Sequence, residues 1–358
     1  MKKTICFGEV MARLSTPGFL RLRQAIPGEL EVTFAGAEVN TAAAVGTLGG
    51  PVEFVTALPR NDLTEACLAS LRSVGIGVNH VVKREAGRFG LYFVETGANQ
   101  RGGKVTYDRD GSTFTLTEAE QYLWPEIFRG ADWFHTTGIS CSLSRVAADT
   151  TLTAISAAKA AGMTISFDLN HRRKLWRWDP AHEPAALARL TLEGILPAVD
   201  IVMGNAMDMA SVADVDCGDA LNDLKAVERI ARGLAKRFRH LRLIAITLRE
   251  NHSATHNNWG ALLYRPEDDC CFVAPNSSEG YVPYEIRAIV DRVGAGDAFA
   301  GALIYALHSA DLSAPDKALQ FAVAASCLAH SVKGDFNYST RDEIEHLLNC
   351  GGSGWVAR

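Results

Sequence analysis

A chain of 358 residues with 47% hydrophobic and 22% charged side chains can bury a full α/β core and has the make-up of a soluble globular protein. Its net charge of −5 gives no basic field to gather nucleic acid or anionic lipid, so neither partner is expected. The eight cysteines show no Cys-x-x-Cys spacing and Cys270-Cys271 are adjacent, which suits reduced, mostly buried thiols of a cytoplasmic protein rather than a metal knuckle or a disulfide framework.

In chain order, Thr4–Phe7 reads as a short strand running into Gly8-Glu9. This opening apolar run is too short for a signal peptide, and no stretch approaches a membrane span. Residues 10–33 look irregular or β-like, broken by Pro17, Gly18, Pro27 and Gly28. Phe34 to Asn40 leads into an Ala-rich helix over Thr41–Leu48, ended by Gly49-Gly50. A strand over Val52–Ala57, a helix over Leu63–Val74 and a strand over Val78–Val82 follow. Residues 88–109 break this rhythm. There Gly90–Glu95 and Lys104–Arg109 read as strands around the turn Gly97–Gly103. With residues 10–33 they would form a small β-sheet outside the main one. Alternation resumes with a strand over Trp133–Thr136, a helix over Ser144–Ala161 and a strand over Met163–Asp168. Next come a short helix over Leu192–Val199, a strand over Ile201–Met203, a long helix over Ala220–Phe238 and a strand over Leu243–Thr247. Hairpin-like strands lie around 260–273, and the last helices around 315–332 and 341–348. Helix and strand in alternation predict a mostly parallel sheet with helices on its faces. No repeat or low-complexity linker marks a cut, so one α/β domain over 1–358 is expected, with the small sheet of about 10–33 and 88–110 inserted in it. His252 and His256 read as loop residues, and Asp214, Asp216 and Asp219 as a solvated acidic loop.

The stretch Asp291-Arg292-Val293-Gly294-Ala295-Gly296-Asp297-Ala298-Phe299 carries the chemistry. Tyr284–Val290 before it alternates as a strand does, and Phe299, Leu303 and Leu307 after it share one helix face. Gly294-Ala295-Gly296 is then a strand-to-helix turn, whose first amides lack internal partners and favour an anion such as a phosphate. Asp297 in that turn repels a phosphate, so it makes sense as a base taking a proton from an attacking hydroxyl; an N-cap aspartate is the competing reading. The turn lacks the Gly-Lys-Ser/Thr of a Walker loop. Phe299 at the third glycine position disfavours a dinucleotide fingerprint.

Gly36-Ala37-Glu38-Val39-Asn40-Thr41-Ala42 resembles the first signature of the ribokinase-like (PfkB) carbohydrate kinases, and Asp291–Asp297 resembles their second, in the order that family has. Further segments resemble the 2-keto-3-deoxygluconate kinases within it. They are Gly8-Glu9-Val10-Met11, Leu58-Pro59, Gly90-Leu91-Tyr92, Tyr107-Asp108-Arg109, Asp168-Leu169-Asn170-His171-Arg172 with Leu175-Trp176, Thr247-Leu248-Arg249 and Gly334-Asp335-Phe336-Asn337. The resemblance implies a ribokinase-like doubly wound, mostly parallel sheet with helices on both faces and a small β-sheet lid. It also implies sugar between lid and core, and ATP along the C-terminal edge of the sheet, where ligands of open α/β sheets bind.

By that resemblance Asp297 is the base, and the amides of Gly294, Ala295 and Gly296 hold the transferring phosphoryl group. Arg109 and Arg172 match substrate-contacting arginines, since a guanidinium grips a sugar-acid carboxylate with two parallel bonds; a solvated surface arginine is the alternative for each. Tyr92 and Tyr107 line the sugar or serve as lid core. Gly36 lets backbone approach the sugar or simply makes a turn. Asp335 bonds substrate or holds its own turn. Asn170 and Asn205 fall to ATP, and Arg249, at a strand end, reaches the ATP phosphates or is a surface arginine. Mg2+ is expected with the phosphates, with Asp208 as its link. Relatives often carry Asn-x-x-Glu where Asn205-Ala206-Met207-Asp208 stands here, and Thr where Arg292 and Val293 stand. Arg292 would offset phosphate charge or point to solvent. The expected activity is ATP-dependent phosphorylation of a sugar acid, first of all 2-keto-3-deoxygluconate to its 6-phosphate. A fructokinase- or ribokinase-type kinase of a neutral sugar is one alternative, and would not need two arginines on its substrate. A non-catalytic nucleotide- or sugar-binding protein is another, and gains nothing from Asp297 beside an anion hole. An exposed lid sheet would allow pairing between subunits.

Overall fold

The computed structural model describes residues 1–216, 223–277 and 280–351. Asp219 and the first residues of the helix expected from Ala220 lie outside the described residues.

The main sheet runs, edge to edge, through Cys270–Ala274, His256–Arg265, Leu243–Ser253, Ile201–Asn205, Thr164–Asp168, Ala131–Thr137, Lys3–Phe7, Val52–Val55 and Ile76–Gly77. The short strand Tyr284–Ile286 pairs with His256–Arg265 off this path. From Leu243–Ser253 to Ile76–Gly77 every neighbouring pair is parallel. The hairpin strands on the other edge are antiparallel. The chain starts in Lys3–Phe7, winds outward through Val52–Val55 to Ile76–Gly77, and returns to the opposite side of Lys3–Phe7 with Ala131–Thr137. It then winds outward the other way. The sheet is therefore doubly wound, and the C-terminal ends of its parallel strands share one edge, where such folds bind ligands.

The strands are apolar on both faces because helices cover both faces. Alternate residues along a strand enter different cores. Ile5 and Phe7 join one core, with Ile155, Leu187 and Ile230 from the helices Arg145–Ala160, Pro184–Ile195 and Leu224–Arg237. Cys6 joins the other, with Val39, Leu303 and Phe321 from the helices Ala37–Thr47, Ala295–His308 and Pro315–Ala329.

A second, four-stranded sheet has the order Glu31–Ala35, Met11–Ser15, Gly90–Glu95, Lys104–Asp108. Its central pair is parallel and its outer pairs antiparallel. The expected small sheet thus forms, with Met11–Ser15 inside residues 10–33 and Glu31–Ala35 running past their end.

Several boundaries differ from expectation. The helix expected from Thr41 begins at Ala37, because Glu38 and Asn40, polar in the sequence, are buried on it and hydrogen-bonded. No strand spans Val78–Val82; Ile76–Gly77 joins the main sheet, while Val82–Arg84 pairs with Ala57–Pro59. The helices Pro184–Ile195, opened by its proline, and Ala206–Ala213, capped by Asn205, were not anticipated at these extents. The strand expected over Tyr284–Val290 stops at Ile286.

Candidate active site

One cavity of about 710 Å³ opens at the C-terminal edge of the main sheet and is also lined from the small sheet. At its floor lies the turn before the helix Ala295–His308. Gly294 is the N-cap, at φ 86°, and a Cβ there would overlap the carbonyl oxygen of Asp335, so both backbone conformation and packing demand glycine. A Cβ on Gly296 would meet nothing within 4 Å, so this part of the turn is open on the cavity side. Among the described residues no side chain caps the helix, and its first-turn amides have no intrahelical partner. Ala295 is buried and does not line the cavity; it can offer only its backbone.

Asp297 is the third residue of this helix rather than its N-cap, which removes the capping explanation. Its carboxylate accepts a hydrogen bond from Asn40 Nδ2 at 2.7 Å. Asn40 is itself oriented, its Oδ1 accepting from the Gly36 amide at 3.2 Å. Burial pushes the Asp297 carboxyl up to about 7, with the Asn40 bond opposing and the Asp335 charge adding to the rise.

The turn is held from behind by charge. Asp291 Oδ1 accepts from the amides of Arg292 at 2.8 Å and Val293 at 3.1 Å, and Oδ2 from the amide of Gly334 at 3.3 Å. Arg13, on the small-sheet strand Met11–Ser15 and only 1% exposed, donates to both Asp291 and Asp335. Asp335 also accepts from the Tyr92 hydroxyl at 2.9 Å and from Asn40 Nδ2 at 3.5 Å. Burial raises the Asp335 carboxyl, and Arg13 is the main force holding it down.

Arg109 does not match the surface alternative: it is 5% exposed and donates through Nε at 2.8 Å, and through Nη2, to Glu9. Its charge is therefore already balanced. Tyr107 lies under it, 5.5 Å from ring centre to guanidinium, and 6.0 Å from the ring of Tyr92. A Cβ on Gly36 would overlap the Glu9 carbonyl oxygen, so its glycine answers to main-chain packing within the protein. Glu38 is buried, its Oε1 accepting from Thr137 Oγ1 at 2.8 Å and Ser140 Oγ at 2.7 Å.

The opposite wall comes from the ends of the parallel strands. Asp168 ends one of them and accepts from the amide of Asn170 at 3.0 Å, while Asn170 takes the left-handed φ of 33°. Burial, then the Asp297 charge, pushes the Asp168 carboxyl up to about 8. Asn205 caps the helix Ala206–Ala213 through the Asp208 amide at 2.9 Å, and Asp208 Oδ2 accepts back from Asn205 Nδ2 at 2.8 Å and from the His171 amide at 3.0 Å. Asp208 thus spends one oxygen on the protein. Arg172 is exposed to the cavity and forms no ion pair among the described residues. Arg249 lies 4.8 Å over the Trp259 ring, and burial lowers its guanidinium to about 10. Among the described residues no group of three or more His, Cys, Asp or Glu is placed to hold a metal ion. His252 and His256 sit on the two strands of the hairpin rather than in a loop, His256 facing Glu285 at 3.1 Å.

Every expected site residue except Ala295 lines this one cavity. Arg13, Glu9, Asp168 and Asp291 were missed as functional groups, although all but Arg13 fall inside or beside segments already singled out. Arg13 had one visible signal, a lone arginine among Met11, Ala12 and Leu14.

The profile described as pfkB family carbohydrate kinase matches residues 1–341. A 2-dehydro-3-deoxygalactonokinase from Haloferax volcanii is 31% identical over 350 residues, covering 98% of each chain. Fructokinase-1 from Oryza sativa subsp. japonica is 29% identical over 305 residues, covering 84% of this chain and 83% of its own. The crystal structure of a 2-dehydro-3-deoxygluconokinase from Thermotoga maritima superimposes with a TM-score of 0.87 at 35% identity, covering 97% of this chain and 99% of that one. Its doubly wound sheet, its glycine turn ending in Asp297 and these likenesses along nearly its whole length agree: the chain belongs to the PfkB family of carbohydrate kinases.

Proposed function

We propose that the protein transfers the terminal phosphoryl group of ATP to the 6-hydroxyl of a keto-deoxy sugar acid, 2-keto-3-deoxygluconate first among them, with Asp297 as base. The observation that carries this reading is the Asp297 carboxylate, oriented by Asn40 Nδ2 at 2.7 Å, in the first turn of a helix that no side chain caps among the described residues; burial raises that carboxyl to about 7. A base titrating near the working pH is well matched to its task. Ionised Asp297 takes the proton of the hydroxyl while that oxygen bonds to the phosphorus and the bond to the β-phosphate oxygen breaks, releasing ADP. The amides at Gly294, Ala295 and Gly296 take up charge on the phosphoryl oxygens.

The acid substrate is supported by Arg172, a cavity cation without an ion-pair partner among the described residues, and by the names of the relatives from Haloferax and Thermotoga. Arg109, balanced by Glu9, orients the sugar together with Tyr92, Tyr107, Asp335 and the backbone at Gly36. Asn170, Asn205 and Arg249 face ATP; the buried Arg249 Nε, without an acceptor among the described residues, suits a phosphate oxygen. Mg2+ fits as an ion carried largely by phosphate and water, with the remaining oxygen of Asp208 as its protein link; when bound it offsets phosphate charge. As a consumer of ATP the protein is taken to be cytoplasmic. Among the described residues no helix is long and apolar enough to cross a membrane. The small sheet acts as a lid over the sugar, and its free edge pairs with a second copy of the chain.

The test is a coupled ADP-release assay across neutral sugars and sugar acids, with wild type and Arg172→Ala. The expected result is preference for keto-deoxy sugar acids, with kcat/KM for them falling about 10- to 100-fold in Arg172→Ala and little change for neutral sugars. Preference for neutral sugars would overturn the acid assignment.

A further inference from the structure

The arginines of the cavity fall into two kinds. Arg13 faces Asp291 and Asp335, and Arg109 faces Glu9, so carboxylates balance both. Arg292 has no such partner among the described residues. Its Nη2 donates to the side-chain oxygens of Asn251, at 2.9 Å, and Asn257. Neutral amide oxygens orient a guanidinium but leave its charge in place. Among the described residues its buried Nε has no acceptor, and neither has the Nε of Arg249. Both guanidiniums line the same cavity, and the Arg292 charge comes second, after burial, among the causes that lower Arg249. Behind them, the Trp259 ring packs on His330 at 5.3 Å, and burial holds that histidine neutral, down to about 4. The root of Arg292 is also fixed, since its amide donates to Asp291 at 2.8 Å just upstream of Gly294. Like charges that line the same cavity are tolerated where a counter-charge arrives. A single sugar carboxylate is matched by one guanidinium, Arg172, whereas a polyphosphate carries several charges and takes more than one cation.

We infer that Arg292, lining the same cavity as Arg249 and held in place by Asn251 and Asn257, binds the phosphate chain of the nucleotide. This rests on the kinase reading above. The test is calorimetric ADP binding to the full chain without sugar, for wild type, Arg292→Met, Arg292→Gln and Arg292→Lys, followed by sugar-acid KM. Loss of one charge-assisted contact should weaken ADP binding about 10- to 100-fold in the Met and Gln variants. The Lys variant should recover much of that loss, and sugar-acid KM should stay near wild type. Arg292 is partly exposed, so the neutral variants should fold, and either one decides the question. Unchanged ADP affinity in a folded neutral variant, or a loss that appears only in sugar-acid KM, overturns the inference. Failure of the wild type itself to bind ADP would refute the kinase reading instead.

Discussion

Asp297 is held up to about 7 first by burial, with Asp335 adding and Asn40 and Arg172 opposing. For a base the consequence has one sign: kcat/KM should fall about tenfold per pH unit below that value and level off above it. The consequence for stability has the opposite sign. A carboxyl whose folded value lies above its unfolded value stabilises the protein fully at low pH, and that contribution is lost as pH rises through about 7. Neutral Asp297→Asn should therefore melt about 1–3 °C above wild type at pH 8, with the gap closing toward pH 5; scanning calorimetry at both values checks it. Asp168 is pushed up to about 8 by burial and then by the Asp297 charge. Asp297 itself was legible because strand, glycine turn and helix are contiguous in sequence. Asn40, which orients it, stands 257 positions away, and only folding shows that bond.

Among the elements, the strand Met11–Ser15 and the turn before the helix Ala295–His308 are tied by Arg13. Its two carboxylate partners lie 278 and 322 positions downstream, which is why the tie was invisible in the sequence while the strand–helix alternation was plain. Alternation and glycine placement are local signals; a buried ion network is a property of the assembled sheet edge. Arg13→Met leaves two buried carboxylates without their cation and should cost about 3–5 kcal/mol in urea unfolding. Burial already raises Asp335 and Arg13 opposes it, so removing Arg13 lets that carboxyl protonate at higher pH. The deficit should accordingly be larger at pH 8 than at pH 5.5; an equal deficit at both would show that lost packing, not charge, explains it. The missed helices Pro184–Ile195 and Ala206–Ala213 have a different cause: their start signals, Pro184 and Asn205, are single residues that resemble turn chemistry equally well.

At the scale of the molecule, winding outward in two directions from Lys3–Phe7 gathers the C-terminal strand ends along one edge, and the small sheet faces them across the cavity. Among the described residues its edge strand Lys104–Asp108 has no strand partner on its outer side, and Val105 and Tyr107 on it are exposed. Such an edge invites pairing with another copy, so light scattering should give a dimer, and Val105→Lys should shift it toward monomer; a wild-type monomer would remove the pairing proposal without touching the chemistry. The chemistry itself comes down to whether Asp297 strips a proton from a sugar-acid hydroxyl. ADP release with 2-keto-3-deoxygluconate, measured for wild type and Asp297→Asn beside calorimetric ADP binding, tests this directly. The expected result is kcat about 100- to 10,000-fold lower with ADP affinity nearly unchanged, whereas near-normal turnover in Asp297→Asn would contradict the account.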